Sequence, residues 1–225
     1  MTGRMVYKAP DGSLTGEGCS AYMTYENRLR AFETNLGSIV GVDGGVDAIR
    51  REIYSPMRAD QLPDFVQPLA VREKGYRVVY EPRALLYEDA LADTADEFRM
   101  RVRVSLRAFH ALKDMRGLLD PFRYGIFAWQ LFSHKVLRYM AFLFMVLAFL
   151  TNLPLARHHQ GFYAFTLAAQ VVFYLTAVVG HGLRRSDPPK LVGLCYYLCV
   201  LNLAGGLAWI QFLQGRKQVV WKPRT

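Results

Sequence analysis

Acidic residues all but vanish after residue 135 of this 225-residue chain. Eighteen of the nineteen acids lie before that point, and Asp187 alone lies beyond it. Nine of the 28 basic residues share the second part, so most of the net charge of +9 belongs there and the first part is nearly balanced. A one-sign excess beside apolar stretches fits anionic lipid headgroups. No basic helix with interleaved aromatics, no zinc spacing and no RNA-binding signature appears, which excludes nucleic acid as a partner. Cysteine is scarce: Cys19, Cys195 and Cys199 give no disulfide framework, and the last two, four apart on an apolar helix, serve as small packing residues. The histidines His110, His134, His158, His159 and His181 are scattered without the spacing or carboxylate company of a metal site. The first 30 residues lack the apolar core of a signal peptide, so the first half is expected to stay cytoplasmic. No internal repeat is visible.

What is present divides into four stretches. In residues 1–121, short strands alternate with helices, the mark of an α/β layer. RMVYK (4–8) reads as a strand and APDGSLTGEG as a turn-rich loop. From Ser20, a candidate N-cap, to Leu36, the residues Tyr22, Tyr25, Leu29, Phe32 and Leu36 recur at helical spacing. GSIVGVDGG reads as a strand entering a glycine turn, with a helix from Val46, and YRVVY as a strand ended by Pro82. Thr94 to Met115 reads as an arginine-rich helix capped by Thr94 with Glu97. Residues 122–138 contain FRYGIFAWQLFSHK, too short to span, flanked by Arg123 and Lys135, and read as an interfacial helix, with a core helix as the competing reading. Residues 139–213 hold apolar stretches at about 139–155, 162–183 and 191–213, near the roughly 20 residues a span needs. The tail, 214–225, is basic. Positive-inside logic puts the first part and the RRSDPPK loop in the cytoplasm. Three spans then carry the tail outside against that rule, unless one stretch, the marginal first above all, is re-entrant.

Three features can carry chemistry. Asp64, fixed by Pro63 and anchored by Phe65, suits a general base with a raised pKa, the competing reading being a turn aspartate. In GVDGGVDAIRRE, Gly44 and Gly45 allow positive φ or close approach of a ligand, and a helix starting near Val46 would offer free N–H groups. Arg99, Arg103 and Arg107 fall on one helix face, a geometry suited to phosphate, or to a solvated face paired with Asp93, Asp96 and Glu97.

In order, TYENRLRAFET, GSIVGVDGGVDAIRRE, PDF, GYRVVYEPRA, EFRMRVRVSLRA and SHKVLRY resemble the membrane-bound glycosyltransferase family 2 enzymes, a group that includes the cellulose, hyaluronan and poly-N-acetylglucosamine synthases. The likeness runs from MTGRMVYKAPDGS to KQVVWKP. It implies a partial GT-A-type α/β domain, an interfacial helix and about three transmembrane helices, in a multi-pass protein of the bacterial inner membrane with its catalytic part cytoplasmic. It implies inverting transfer of a sugar, of the hexosyltransferase type, from a nucleotide-sugar to a glycan or lipid-linked acceptor in polysaccharide synthesis. Asp64 matches the aspartate of the Thr-Glu-Asp element, the base. Asp43, Gly44 and Gly45 match the acceptor-side turn. Arg103 matches the arginine of Gln-x-x-Arg-Trp, a diphosphate clamp, with Arg99 beside it.

The chain also departs from that pattern. Pro63 stands for the glutamate before the base, Met100 for the glutamine and Val104 for the tryptophan, which speaks against long-chain processive synthesis. The family's divalent metal (Mg or Mn) is expected, yet its Asp-x-Asp ligands and the aspartate for the nucleotide base are absent before TYENRLRAFET. The chain is therefore expected to resemble the C-terminal portion of such an enzyme, a clipped product, mis-set start or half of a split protein, with little activity alone. A non-catalytic membrane remnant or partner subunit is the alternative. A small transporter is a third and weaker one, since the spans hold no charge to mark a substrate path.

Overall fold

The computed structural model describes residues 1–8, 14–89, 94–158, 161–183 and 189–218, without the side chains of 7, 8, 14–21, 89 and 94–96. The described chain is mostly helical, with one two-stranded parallel sheet. Strand β1 (Thr2–Lys8) pairs with β2 (Tyr80–Asp89), in register from Arg4↔Leu85 to Lys8↔Asp89. A parallel pair needs a long crossover, and helices α1 (Leu14–Leu36) and α2 (Pro63–Glu73) lie within it. The strand does not stop at Pro82. It begins at Tyr80 and runs through the proline at an irregularity between the Thr2 and Arg4 pairings, where a missing N–H costs no ladder bond.

Several local expectations give way to tertiary contacts. Helix α1 starts at Leu14, so Ser20 is not its cap. Its apolar stripe does not face the core: Tyr25, Phe32 and Leu36 are exposed, whereas Met23, Glu26, Arg30 and Glu33, also at helical spacing, are buried. Charges point inward because partners wait there, the condition under which a buried charge is tolerated. Residues 37–48 form neither the expected strand nor a helix from Val46, and one 3₁₀ turn, Arg51–Ile53, follows. Cross-chain bonds hold that path extended: Ile39 N to Val78 O, Val42 N to Asp64 O, Gly3 N to Val46 O and Ala48 N to Met1 O, all 2.9–3.1 Å. The Thr94 cap lies outside the described side chains.

The core forms where α2 meets α3 (Thr94–Asp114). Phe65, Val66 and Leu69 of α2 pack with Ala108, Ala111 and Leu112 of α3 and with Leu118, Phe127 and Leu131, each large side chain contributing about 1.5–3 kcal/mol. The 122–138 stretch breaks into α4 (Pro121–Tyr124), α5 (Ile126–Leu131) and one π-helical segment, Phe132–Leu137. Gly125, at φ 56°, makes the break between α4 and α5. Phe127, Ala128 and Leu131 face the core, while Phe122, Ile126, Trp129 and Phe132 are exposed. One face of this stretch thus belongs to the core, and the other is apolar and exposed.

Three helices are long and apolar enough to cross a membrane: α6 (Ala141–His158), α7 (Phe162–Gly182) and α8 (Lys190–Leu213). They differ in one respect. Over an 18-residue apolar stretch of each, only 6 % is buried within the protein in α6 and in α7, against 39 % in α8. Helix α3 lies along α8, with Val102, Leu106 and Phe109 against Ala204 and Ala208, small residues that permit close approach. Beyond α8 the chain returns to the first layer. Arg107 Nε donates to Gln218 O and His110 Nε2 meets Arg216 O, both at 2.9 Å, and Lys217 Nζ reaches Asp60 at 2.8 Å.

Candidate functional site

A cleft of about 1270 Å³ opens between α1, the 41–45 turn, the start of α2, α3 and the π-helical segment. Asp43, Gly44, Gly45, Asp64 and Arg103 all line it, although they span sixty residues of sequence. Arg99 does not join them and lines a second cavity among α6, α7 and α8. The helix α3 divides its arginines by face.

Asp64 sits in the first turn of α2, not in a free polar turn, with Pro63 at the helix start and Phe65 buried beneath. Its carboxylate leans over Gly44. A Cβ on Gly44 would lie 2.6 Å from the carboxyl carbon, and Gly44 has φ 79°. Only glycine satisfies both demands. Burial raises the Asp64 pKa; a backbone hydrogen bond opposes it, and the nearby Asp47 and Asp43 push it further up. A half-buried carboxylate of raised basicity is what proton abstraction needs. Gly45 lies against Leu86 of β2, leaving no room for a side chain.

Asp43 is already engaged: Arg30 reaches it at 2.5 and 2.6 Å, and Asn27 holds Arg30 at 3.2 Å. Burial still raises the Asp43 pKa despite that guanidinium. Glu26 accepts from Arg138 and lies 3.7 Å from Arg30. Burial opposes its charge, yet Lys135, Arg138 and Arg30 hold it at about 2. Glu33 accepts from His134 at 2.5 Å and from Val40 N at 3.2 Å.

The π-helical segment supplies what the sequence reading leaves out. It turns His134 and Lys135, with Arg138 directly after it, toward α1, and π-helical turns recur at functional sites. Arg138 stacks on Tyr22 at 5.7 Å, as Arg101 does at 5.4 Å. Lys135 is different. Its Nζ lies 5.5 Å from the Phe65 ring centre, and the described residues give it no hydrogen bond or ion pair. Burial, with Arg138 nearby, pulls its pKa down to about 8. The sequence signal for this triad is SHKVLR after an aromatic run, legible as a membrane flank but not as a site. Deeper still, Glu97 and Arg101 pair at 2.7 Å, and both meet the Tyr197 hydroxyl of α8 at 3.3 and 3.2 Å. The charge missing from the spans is thus delivered to α8 by α3.

The expected divalent metal finds no fit here. Among the described residues no three His, Cys, Asp or Glu side chains group to hold an ion, and Asp43 is bonded to Arg30. Compared with protein-family models, curated proteins and solved structures, the chain matches none.

Proposed function

We propose that this cleft is the acceptor side of an inverting glycosyl-transfer site on a membrane protein, taking its sugar from a nucleotide-sugar. One observation carries the reading. Five of the six residues selected by their resemblance to the membrane-bound family 2 glycosyltransferases, Arg99 being the exception, converge on one cleft with Asp64 poised over Gly44. The Asp64 carboxylate takes the proton of an acceptor hydroxyl. That oxygen attacks the anomeric carbon, the bond to the nucleotide diphosphate breaks, and the leaving group departs with the electron pair. Arg103, with Lys135 and Arg138 nearby, meets the charge that develops. The test is the Asp64→Asn variant in purified protein or membranes supplied with a nucleotide-sugar. Transfer should fall by about 10³-fold or more while the helical circular-dichroism spectrum stays unchanged; wild-type transfer by that variant would end the assignment.

A second reading, a non-catalytic membrane partner, draws on a different observation. Much of the cleft's charge is internally matched, Asp43 by Arg30 and Glu26 by Arg138. It predicts no nucleotide-sugar binding, which equilibrium dialysis with a radiolabelled donor measures directly.

A further inference from the structure

The polar cleft does not end at the charged layer. Phe142 and Asn202 line it, and both also line a second cavity of about 1630 Å³ among α6, α7 and α8. Phe142 and Asn202 stand between the two, with Phe142 as the ring at the boundary. Phe142 sits on the Gly205–Gly206 pair of α8, where a Cβ at Gly206 would come within 3.2 Å of it, and faces Trp209 at 5.8 Å. The two sides of that ring differ in kind. On the far side lie Met145, Phe149, Leu203 and Leu207, with Arg99 the one formally charged residue lining that cavity among those described. On the near side stand Asp64, Arg103 and Lys135, the last an ammonium group without a bonded partner among the described residues.

We infer that the two cavities form one bipartite site for a phosphate-bearing membrane lipid, its chain in the apolar cavity and its headgroup in the cleft at Lys135. A soluble glycan makes no use of the apolar side. A neutral lipid leaves the half-buried Lys135 ammonium without a bonded anion, Glu26 and Glu33 acting on it only at longer range, a costly setting for an ion. A lipid phosphate carrying a sugar uses both: phosphate against Lys135, sugar hydroxyl toward Asp64, chain past Phe142. The binding claim stands on these two cavities, and only the lipid's role as sugar acceptor rests on the transferase reading.

The test uses the full chain in detergent with Trp129→Phe and Trp221→Phe, leaving Trp209 in the apolar cavity as reporter. Farnesyl phosphate, farnesol and inorganic phosphate are titrated separately. Farnesyl phosphate should bind at least about tenfold more tightly than either half-ligand. Lys135→Met and Leu203→Phe should each weaken it about tenfold. The second adds bulk at an exposed position lining the cavity, and so avoids the clash that a side chain at Gly206 would cause. Farnesol binding as well as farnesyl phosphate, or unchanged affinity in both variants, overturns the inference. No donor or transfer enters these measurements. Lipid binding without any sugar transfer keeps this inference and removes the transferase reading. Transfer to a soluble oligosaccharide by a chain that ignores farnesyl phosphate does the reverse.

Discussion

The cleft and the apolar cavity touch through Phe142, yet they are built by opposite means. The cleft collects side chains from helices α1, α2, α3 and the π-helical segment, and much of its charge is held by another: Asp43 by Arg30, Glu26 by Arg138. The apolar cavity comes from three consecutive helices with Phe98 and Arg99 of α3 at its edge, and needs little beyond shape and hydropathy. A matched interior charge is stable only while its partner stays, whereas an apolar wall tolerates exchange of one aliphatic residue for another. The two regions should therefore answer mutation on different scales.

The largest effect should come where the two meet along α3. Glu97, 1 % exposed, pairs with Arg101 beside Tyr197. Glu97→Gln leaves Arg101 without its counter-charge and should cost about 3–5 kcal/mol, read from urea unfolding in detergent. A loss below about 1 kcal/mol would show that the α3–α8 contact tolerates a lone charge as the apolar walls tolerate exchange.

Gly44→Ala should cost about 1–3 kcal/mol, for its positive φ and its contact with Asp64. It should also displace the carboxylate and lower transfer more than stability predicts. Equal, small changes in both would mean that Asp64 adjusts freely.

Lys135 offers a pH test. Its pKa is about 8 in the folded protein against an ordinary 10.5, so the unfolded chain holds this proton more tightly. The ammonium therefore weakens the fold below about pH 8, and stability should rise between about pH 8 and about 10.5. Lys135→Met should stabilise the protein by about 1–3 kcal/mol at neutral pH while abolishing anion capture. Binding of inorganic pyrophosphate should decline above about pH 8 in the native chain. In Lys135→Arg that alkaline limb should vanish; a limb unchanged there would assign the titration to another group. The raised pKa of Asp64 predicts that the acid limb of transfer lies above the ordinary carboxylate range.

The smallest effect should be at the tail. Lys217 is half exposed beside Asp60, and Lys217→Ala should cost less than about 1 kcal/mol. A thermal shift of many degrees would show that the tail holds the layer as firmly as the buried pairs hold the cleft.

The same contrast separates what can be read from sequence from what cannot. Helices α6, α7 and α8 follow from apolar length, and α3 from its spacing, within a few residues. Helix α2 is missed because Pro68 lies inside it, although Pro63 at its start and Gly75, at φ 84°, just past its end are ordinary helix punctuation. The inward turn of Glu26, Arg30 and Glu33 is illegible because no periodicity says which stripe finds partners, and theirs, Arg138, Asp43 and His134, lie up to about a hundred residues away. Asp64 and Asp43 are legible as candidates through the family resemblance, but their common cleft is not. Lys135 has no local signal, because its character comes from the Phe65 ring and the approach of Gly41.

One more consequence follows from the return of the chain at Arg216–Gln218. Arg107 and His110 find their partners 111 and 106 residues later. At about 5–20 residues per second, a ribosome needs roughly 5–20 s to make the intervening chain. Through that interval α3 exists without α8, and the apolar face destined for Ala204 and Ala208 is uncovered. The segment made after α8, not α3 itself, closes this layer.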